Sequence, residues 1–228
     1  MARDDILLPT ARNLADADAL EHVETESADD VDRVLVEQAK RGDGEAYSQL
    51  VDKYHARVYG IIYRMCGAVE AEDITQDVFV RALRALRSFQ FQGQASFRTW
   101  LYRIAVNAAI NELRKRGRRS QVVGASLEEL QEADNGIAER LAPDYSQSPE
   151  VVLERKELRR AVHAALKKLT PKHRAVIALV DLEGMPYEEA AQVLGCPTGT
   201  VKSRLARARA AFARAFERYL QGKMRIEM

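Results

Sequence analysis

Residues 96–119 read SFRTWLYRIAVNAAINELRKRGRR, and one helical stretch here has two characters. Phe97, Trp100, Leu101, Ile104, Ala105 and Ala108 recur at the i, i+3, i+4, i+7 spacing that stacks side chains on one helical face. That face is expected to pack inward. Toward its end the stretch turns cationic, with seven basic residues (Arg98, Arg103, Arg114, Lys115, Arg116, Arg118 and Arg119) against one acidic residue, Glu112. Such a density repels itself unless a polyanion lies nearby. The same residues also suit the negative end of a helix dipole, with Gly117 able to stop the helix, so the cluster alone leaves a solvated helix end open.

Charge along the rest of the chain narrows that choice. The 228 residues suit two small domains, and their net charge of +1 hides strong segregation. Residues 1–32 hold two basic and ten acidic side chains, and residues 120–150 hold one and seven. Residues 196–223 reverse the sign, with seven basic and one acidic. Two positive segments alternating with two negative ones suggest a polyanion touched at two places. Cys66 and Cys196 form no CxxC, and the four histidines are scattered, so neither a zinc site nor a disulfide framework is expected. No apolar run approaches a membrane span, the acidic start lacks a signal peptide's basic end, and a cytoplasmic protein without membrane insertion is expected.

Helical periodicity and the lack of strand signals predict an all-α chain of two small helical domains joined by a flexible acidic linker. Residues 1–32 form an acidic tail unable to bury enough to offset its ordering entropy, residues 33–119 a four-helix domain, 120–148 the linker and 149–222 a second domain. In the first domain Val34, Leu35, Gln38 and Ala39 lead to a break at Gly42-Asp43-Gly44, where Asp43 can cap the next helix. Ala46, Leu50, Tyr54, Val58, Ile61 and Ile62 mark that helix's buried side. A third helix, 70–89, places Ile74, Val78, Leu83 and Leu86 in the core and leaves Asp73, Gln76, Asp77 and Arg84 largely on the other side. A polar loop, SFQFQGQA, spans 88–95.

In the second domain Ser148 and Pro149 give a helix start, with Val151, Leu158, Val162, Ala165 and Leu169 as its apolar stripe, and Thr170-Pro171 repeats the start. Residues 187–206 have the proportions of a helix-turn-helix: Ala191 permits close crossing, Gly195 the tight turn, and Val201 and Leu205 lock the second helix onto the first. Thr198, Thr200, Lys202, Ser203, Arg207 and Arg209 remain exposed, short hydroxyls for backbone phosphates and long cations for phosphates or guanine edges.

Three pieces, DITQDVFVRALR at 73–84, ASFRTWLYRIAVNAAINELR at 95–114 and YEEAAQVLGCPTGTVKSRLARAR at 187–209, together resemble the extracytoplasmic-function (ECF) sigma factors of the sigma-70 family, over about residues 31–220. The resemblance implies a subunit that binds core RNA polymerase, with its beta-prime and beta subunits, and directs it to promoter DNA. The coiled coil of beta-prime would meet Asp73, Gln76, Asp77, Phe79 and Arg84. For the minus-ten element the resemblance implies a flipped base held by Gln90, Phe91, Gln92 or Gln94, base reading by Asn107, and phosphate contacts from Arg103, Arg114, Lys115 and Arg118. The minus-thirty-five element would be read by Thr198, Thr200, Lys202, Ser203 and Arg207.

An anti-sigma factor is a further partner implied by the family alone. Primary sigma factors carry paired aromatics where this chain has Arg103 and Ile104, which implies melting that depends on a strict promoter match. Many relatives carry Asp at the position of Asn111. No cofactor, catalytic residue or nucleophile motif is expected. A free-standing helix-turn-helix regulator would leave residues 73–84 unexplained, and a sigma-like adaptor that titrates an anti-sigma factor would not need Lys202, Arg204, Arg207 and Arg209.

Overall fold

The computed structural model describes residues 31–89, 96–123 and 149–224. Its regular elements are helices throughout these residues, as the periodicity requires. The acidic tail up to residue 30, the loop 90–95, the linker from 124, the short helix expected at 127–131 and the Ser148 cap lie outside the described residues. The chain divides into two units, Met1–Leu50 and Val51–Met228.

In the first unit α1 covers residues 31–40 and α2 (Gly44–Cys66) begins. Val31 and Asp32, read as the end of the acidic tail, already belong to α1. Asp43 caps α2, its Oδ1 accepting from the backbone N–H of Glu45 at 2.9 Å and of Ala46 at 3.1 Å. Val36, Ala39, Ala46 and Leu50 are buried, whereas Val34, expected on the inner face, is 58% exposed. Residues 34 and 36 are 200° apart around a helix, and only Val36 shares a face with Ala39.

The second unit continues α2 and adds α3 (Ala68–Leu86), α4 (Phe97–Val123), α5 (Pro149–Lys167), α6 (Pro171–Ile177), a π-helical turn (Ala178–Leu182), α7 (Tyr187–Leu194) and α8 (Thr198–Met224). Helix α4 packs against α3 and also against α6 and α7, while α8 rests on α5, α6 and α7. This double packing explains why α4 buries Tyr102, Val106 and Ala109 in addition to Phe97, Leu101, Ala105 and Ala108. The sequence pattern showed one face because tyrosine and alanine are ambiguous in a periodicity count. Burying each large apolar side chain of this set stabilises the fold by ~1.5–3 kcal/mol.

Several core expectations change. On α3 Val78 and Leu86 are buried, but Leu83 is 48% exposed and Ile74 only half-buried, because Ala71, Thr75, Val78, Phe79 and Ala82 occupy the inner stripe. On α5 Leu158 is 56% exposed, while Ala161 and Ala165 turn inward, as does Leu169 just beyond the helix. Gly117 does not stop α4, which runs to Val123 and takes the first residues of the expected linker into the helix.

Two turns depend on glycine. Gly67, between α2 and α3, has φ +97°, and a Cβ there would sit 3.6 Å from the His163 ring. Gly195 closes α7 at φ 60°, ψ 43°, the left-handed cap that only glycine adopts without strain. Thr170 caps α6 as the sequence suggests, its Oγ1 accepting from His173 N–H at 3.3 Å.

Candidate nucleic-acid interface

Arg103, Asn107, Asn111, Arg114 and Arg118 are all exposed on α4. Their spacing of three or four residues keeps them on one face, a row about 22 Å long at 1.5 Å per residue. Lys115 is exposed beside this row, its Nζ 3.4 Å from the Glu112 carboxylate. The opposite face of α4 is core, so the row is held rigidly.

Not every cation of the stretch serves that face. Arg98 donates from Nη2 to Glu189 of α7 at 2.6 Å. Arg116 pairs with Glu70 and donates from Nη1 to the Cys66 carbonyl at 3.1 Å, closing the corner between α2 and α3. Burial holds the Arg116 guanidinium below its ordinary pKa. The charge count overstated the clamp because it could not separate outward arginines from inward ones.

The loop expected to hold a flipped base, with Gln90, Phe91, Gln92 and Gln94, lies outside the described residues. Its two supports are well defined. Phe89 before it and Phe97 after it are 6% and 1% exposed, and Trp100 packs tilted against both, with ring centroids 4.7 and 5.5 Å away. Tyr54 closes the cluster from α2, 5.7 Å from Phe97.

In the helix-turn-helix, Val201, Leu205 and Ala208 are buried at 2% exposure or less, which fixes the rotation of α8. Lys202, Ser203 and Arg207 therefore face outward, with Thr198 and Thr200 half-exposed. The Ser203 hydroxyl donates to the Thr200 carbonyl at 3.2 Å, and Arg207 Nε donates to the Ser203 carbonyl at 3.2 Å, so both side chains lie along the helix. Lys202 Nζ stands 5.5 Å from the Tyr187 ring centroid, a cation–π contact that steadies it. Desolvation, and then the Arg207 and Arg204 charges, depress the pKa of His173 where α6 meets α8.

On α3 the outward side carries Asp73, Gln76, Asp77 and Arg84. Val80 and Leu83 join them, 46% and 48% exposed, a pair missed because apolar residues in a helix are read as core by default. Phe79, expected on this surface, turns inward: it is 8% exposed, with its ring 6.0 Å from that of His55. It supports α3 from beneath and offers no contact surface. Among the described residues no His, Cys, Asp and Glu cluster could hold a metal, and no helix is long and apolar enough to cross a membrane.

Residues 50–119 match the family model for sigma-70 region 2, and residues 159–212 match that for sigma-70 region 4. The chain is 39% identical over 193 residues to the RNA polymerase sigma-H factor of Pseudomonas aeruginosa, covering 83% of this chain and 96% of that one. The chain belongs to the extracytoplasmic-function sigma factors of the sigma-70 family. It is also 38% identical over 180 residues to the ECF RNA polymerase sigma-E factor of Escherichia coli K12, covering 79% and 91% of the two chains. Among solved structures, the sigma factor RpoE in complex with the anti-sigma factor NepR from Bartonella quintana matches with a TM-score of 0.55 at 26% identity, covering 75% of this chain and 96% of that one. In this sigma factor α2 to α4 thus fall in region 2, and the helix-turn-helix of α7 and α8 falls in region 4.

Proposed function

We propose that this sigma factor binds core RNA polymerase through α3 and directs it to promoters by gripping DNA at two separated elements, without covalent chemistry of its own. The observation that carries this reading is the pair of rigid, outward cationic faces, Arg103 to Arg118 on α4 and Lys202 to Arg207 on α8, one in each family region. Phosphate contacts position such helices and base contacts specify the sequence. On α4, Asn107 reads a base edge at the minus-ten element, and Arg103, Arg114, Lys115 and Arg118 hold phosphates. The aromatic cluster of Phe89, Phe97 and Trp100 anchors both ends of the loop whose Gln90, Phe91, Gln92 and Gln94 receive an unstacked base. On α8, Lys202, Ser203 and Arg207 read the minus-thirty-five element, flanked by Thr198 and Thr200.

Asp73, Gln76, Asp77 and Arg84, with Val80 and Leu83, form the polymerase-docking surface, an apolar strip rimmed by charge that suits a basic amphipathic helix. The functional division is a region-2 domain at 33–119 and a region-4 domain at 149–222, and the matched stretches 50–119 and 159–212 lie within them. Work with polymerase puts the protein in the cytoplasm, and an anti-sigma factor is its regulator, as NepR is named for the Bartonella quintana relative. Run-off transcription with purified core polymerase and a random promoter library tests the reading. Selection of a two-part consensus supports it, and failure to initiate from any template overturns it.

A further inference from the structure

Helix α8 is longer than a helix-turn-helix requires. It spans Thr198–Met224, about 40 Å at about 1.5 Å per residue, and runs past residue 212, where the region-4 match ends. The major groove of B-DNA is about 12 Å wide, the length of about eight residues of helix. With Lys202 to Arg207 seated in the groove, the turns that follow leave it past a wall of sugar and phosphate.

Those later turns carry cations on the face that Arg207 marks. At about 100° per residue, Ser203, Arg214 and Arg218 all fall within about 40° of Arg207 around the helix. Arg207, Arg214 and Arg218 are exposed. Arg218 Nε donates to the Arg214 carbonyl at 3.1 Å, the same backward lean that Arg207 makes onto the Ser203 carbonyl at 3.2 Å. Between Arg207 and Arg214 this face holds only Ala210 and Ala211, which let a surface approach closely. Glu217, the acidic residue of these turns, sits about 80° from Arg207. Unlike Arg98 and Arg116 of α4, neither Arg214 nor Arg218 has a carboxylate partner among the described residues.

The aromatic residues of the same turns lie elsewhere. Phe212 and Phe216, stacked with ring centroids 5.7 Å apart, are about 140° and 180° from Arg207, toward the side where Leu205 and Ala215 are buried. A protein partner would bury apolar or aromatic side chains at the centre of its contact, whereas a smooth face of arginine and alanine suits a polyanion.

We propose that Arg214 and Arg218 form a second phosphate clamp, which grips the DNA backbone beside the minus-thirty-five element as α8 leaves the groove and adds affinity without reading sequence. The clamp rests on the DNA-binding reading of α8 given above and extends it to residues outside the family match. Long recognition helices meet the backbone with their C-terminal ends in this way.

The test uses the full chain with Arg214→Gln and Arg218→Gln together. It is titrated by fluorescence anisotropy, at several salt concentrations, against two duplexes of equal length, one with the minus-thirty-five sequence selected in run-off transcription and one with that sequence scrambled. The slope of log affinity against log salt is expected to fall by about 2 on both duplexes, about one unit for each lost contact. The preference between the duplexes is expected to stay that of the wild type. Arg214→Lys with Arg218→Lys keeps the charges and is expected to keep the wild-type slope. If the double glutamine variant melts early, the single variants are each expected to lower the slope by about 1. An unchanged slope in the folded glutamine variants overturns the clamp, and a fall in their transcription despite that slope would assign this face to an acidic protein partner instead. A wild-type chain that binds both duplexes equally, with the slope still reduced in the variant, counts against the promoter reading and leaves the phosphate contact standing.

Discussion

Arg209 and Asp181 are joined at two points: Arg209 Nη2 is 2.5 Å from Asp181 Oδ1, and Nε donates to Oδ2 at 3.1 Å. This fork ties α8, just beyond its outward Lys202, Ser203 and Arg207, to the π-helical turn that precedes the helix-turn-helix. Arg209 was among the cations the sequence left pointing at phosphates, and the fold employs it as a brace. The pair is partly exposed, so Arg209→Ala is expected to cost only ~0.2–1 kcal/mol of stability in urea melts. Minus-thirty-five selectivity is expected to survive it. Arg207→Ala, by contrast, is expected to weaken binding to a minus-thirty-five duplex by ~1–3 kcal/mol. Equal losses in fluorescence anisotropy for the two variants would remove the distinction.

Leu101 and Leu83 separate core from surface. Leu101 is fully buried, and Leu101→Ala is expected to destabilise by ~2–5 kcal/mol through lost contacts and the cavity left behind. Leu83, 48% exposed, is expected to change stability by less than about 0.5 kcal/mol on replacement with Ala. The same Leu83→Ala variant is expected to bind core polymerase more weakly, as read by co-purification. Chemical denaturation of both variants decides the first contrast.

Outward and inward arginines of α4 differ in how salt affects them. Each phosphate contact contributes about one unit to the slope of log affinity against log salt, so Arg118→Ala is expected to reduce that slope on promoter DNA by about 1. Arg116, paired with Glu70 and bonded to the Cys66 carbonyl, is expected to leave the slope unchanged when replaced and to lower the melting temperature instead. Titrations at several salt concentrations check both outcomes.

Cys66 is buried and its thiol donates to the Ala109 carbonyl at 3.6 Å. Burial pushes its pKa up from 9.0 to about 11, against the opposing pull of Arg116 and Arg174. The thiolate is the reactive form, so Cys66 is expected to resist iodoacetamide at neutral pH, while half-exposed Cys196 reacts. Mass spectrometry is expected to find one modified cysteine in the native protein and two after denaturation. The sign of the linkage follows from the raised value. The fold favours the protonated thiol, so its contribution is complete below pH 9 and is lost as pH rises toward 11. A Cys66→Ala variant is expected to lack that component of alkaline destabilisation in calorimetry.

Asp77 is exposed on α3, 3.1 Å from Arg81 one turn on. Asp77→Lys places a like charge before the basic partner proposed for this surface, and is expected to abolish association with core polymerase. The circular dichroism spectrum is expected to stay that of the wild type. Normal co-purification of the variant with core enzyme would remove Asp77 from the docking surface.

The helices, the family and the helix ends at Asp43, Thr170 and Gly195 were legible in the residues alone. Asp43, Thr170 and Gly195 act through bonds or dihedrals within a few residues of themselves, so local chemistry was enough to read them. The outward face of α8 was equally legible, because Val201, Leu205 and Ala208 fix its rotation on a simple helical period. Only the tertiary structure decided which arginines of residues 96–119 look outward, because Glu70 and Glu189 lie 46 and 91 residues from the cations they neutralise. It also decided that Phe79 is core and Leu83 surface, since two apolar residues four apart on α3 compete for one inner stripe and only the neighbouring helix determines which of them is covered. Local periodicity records that a side chain is apolar, but whether it is buried depends on what the rest of the chain brings against it.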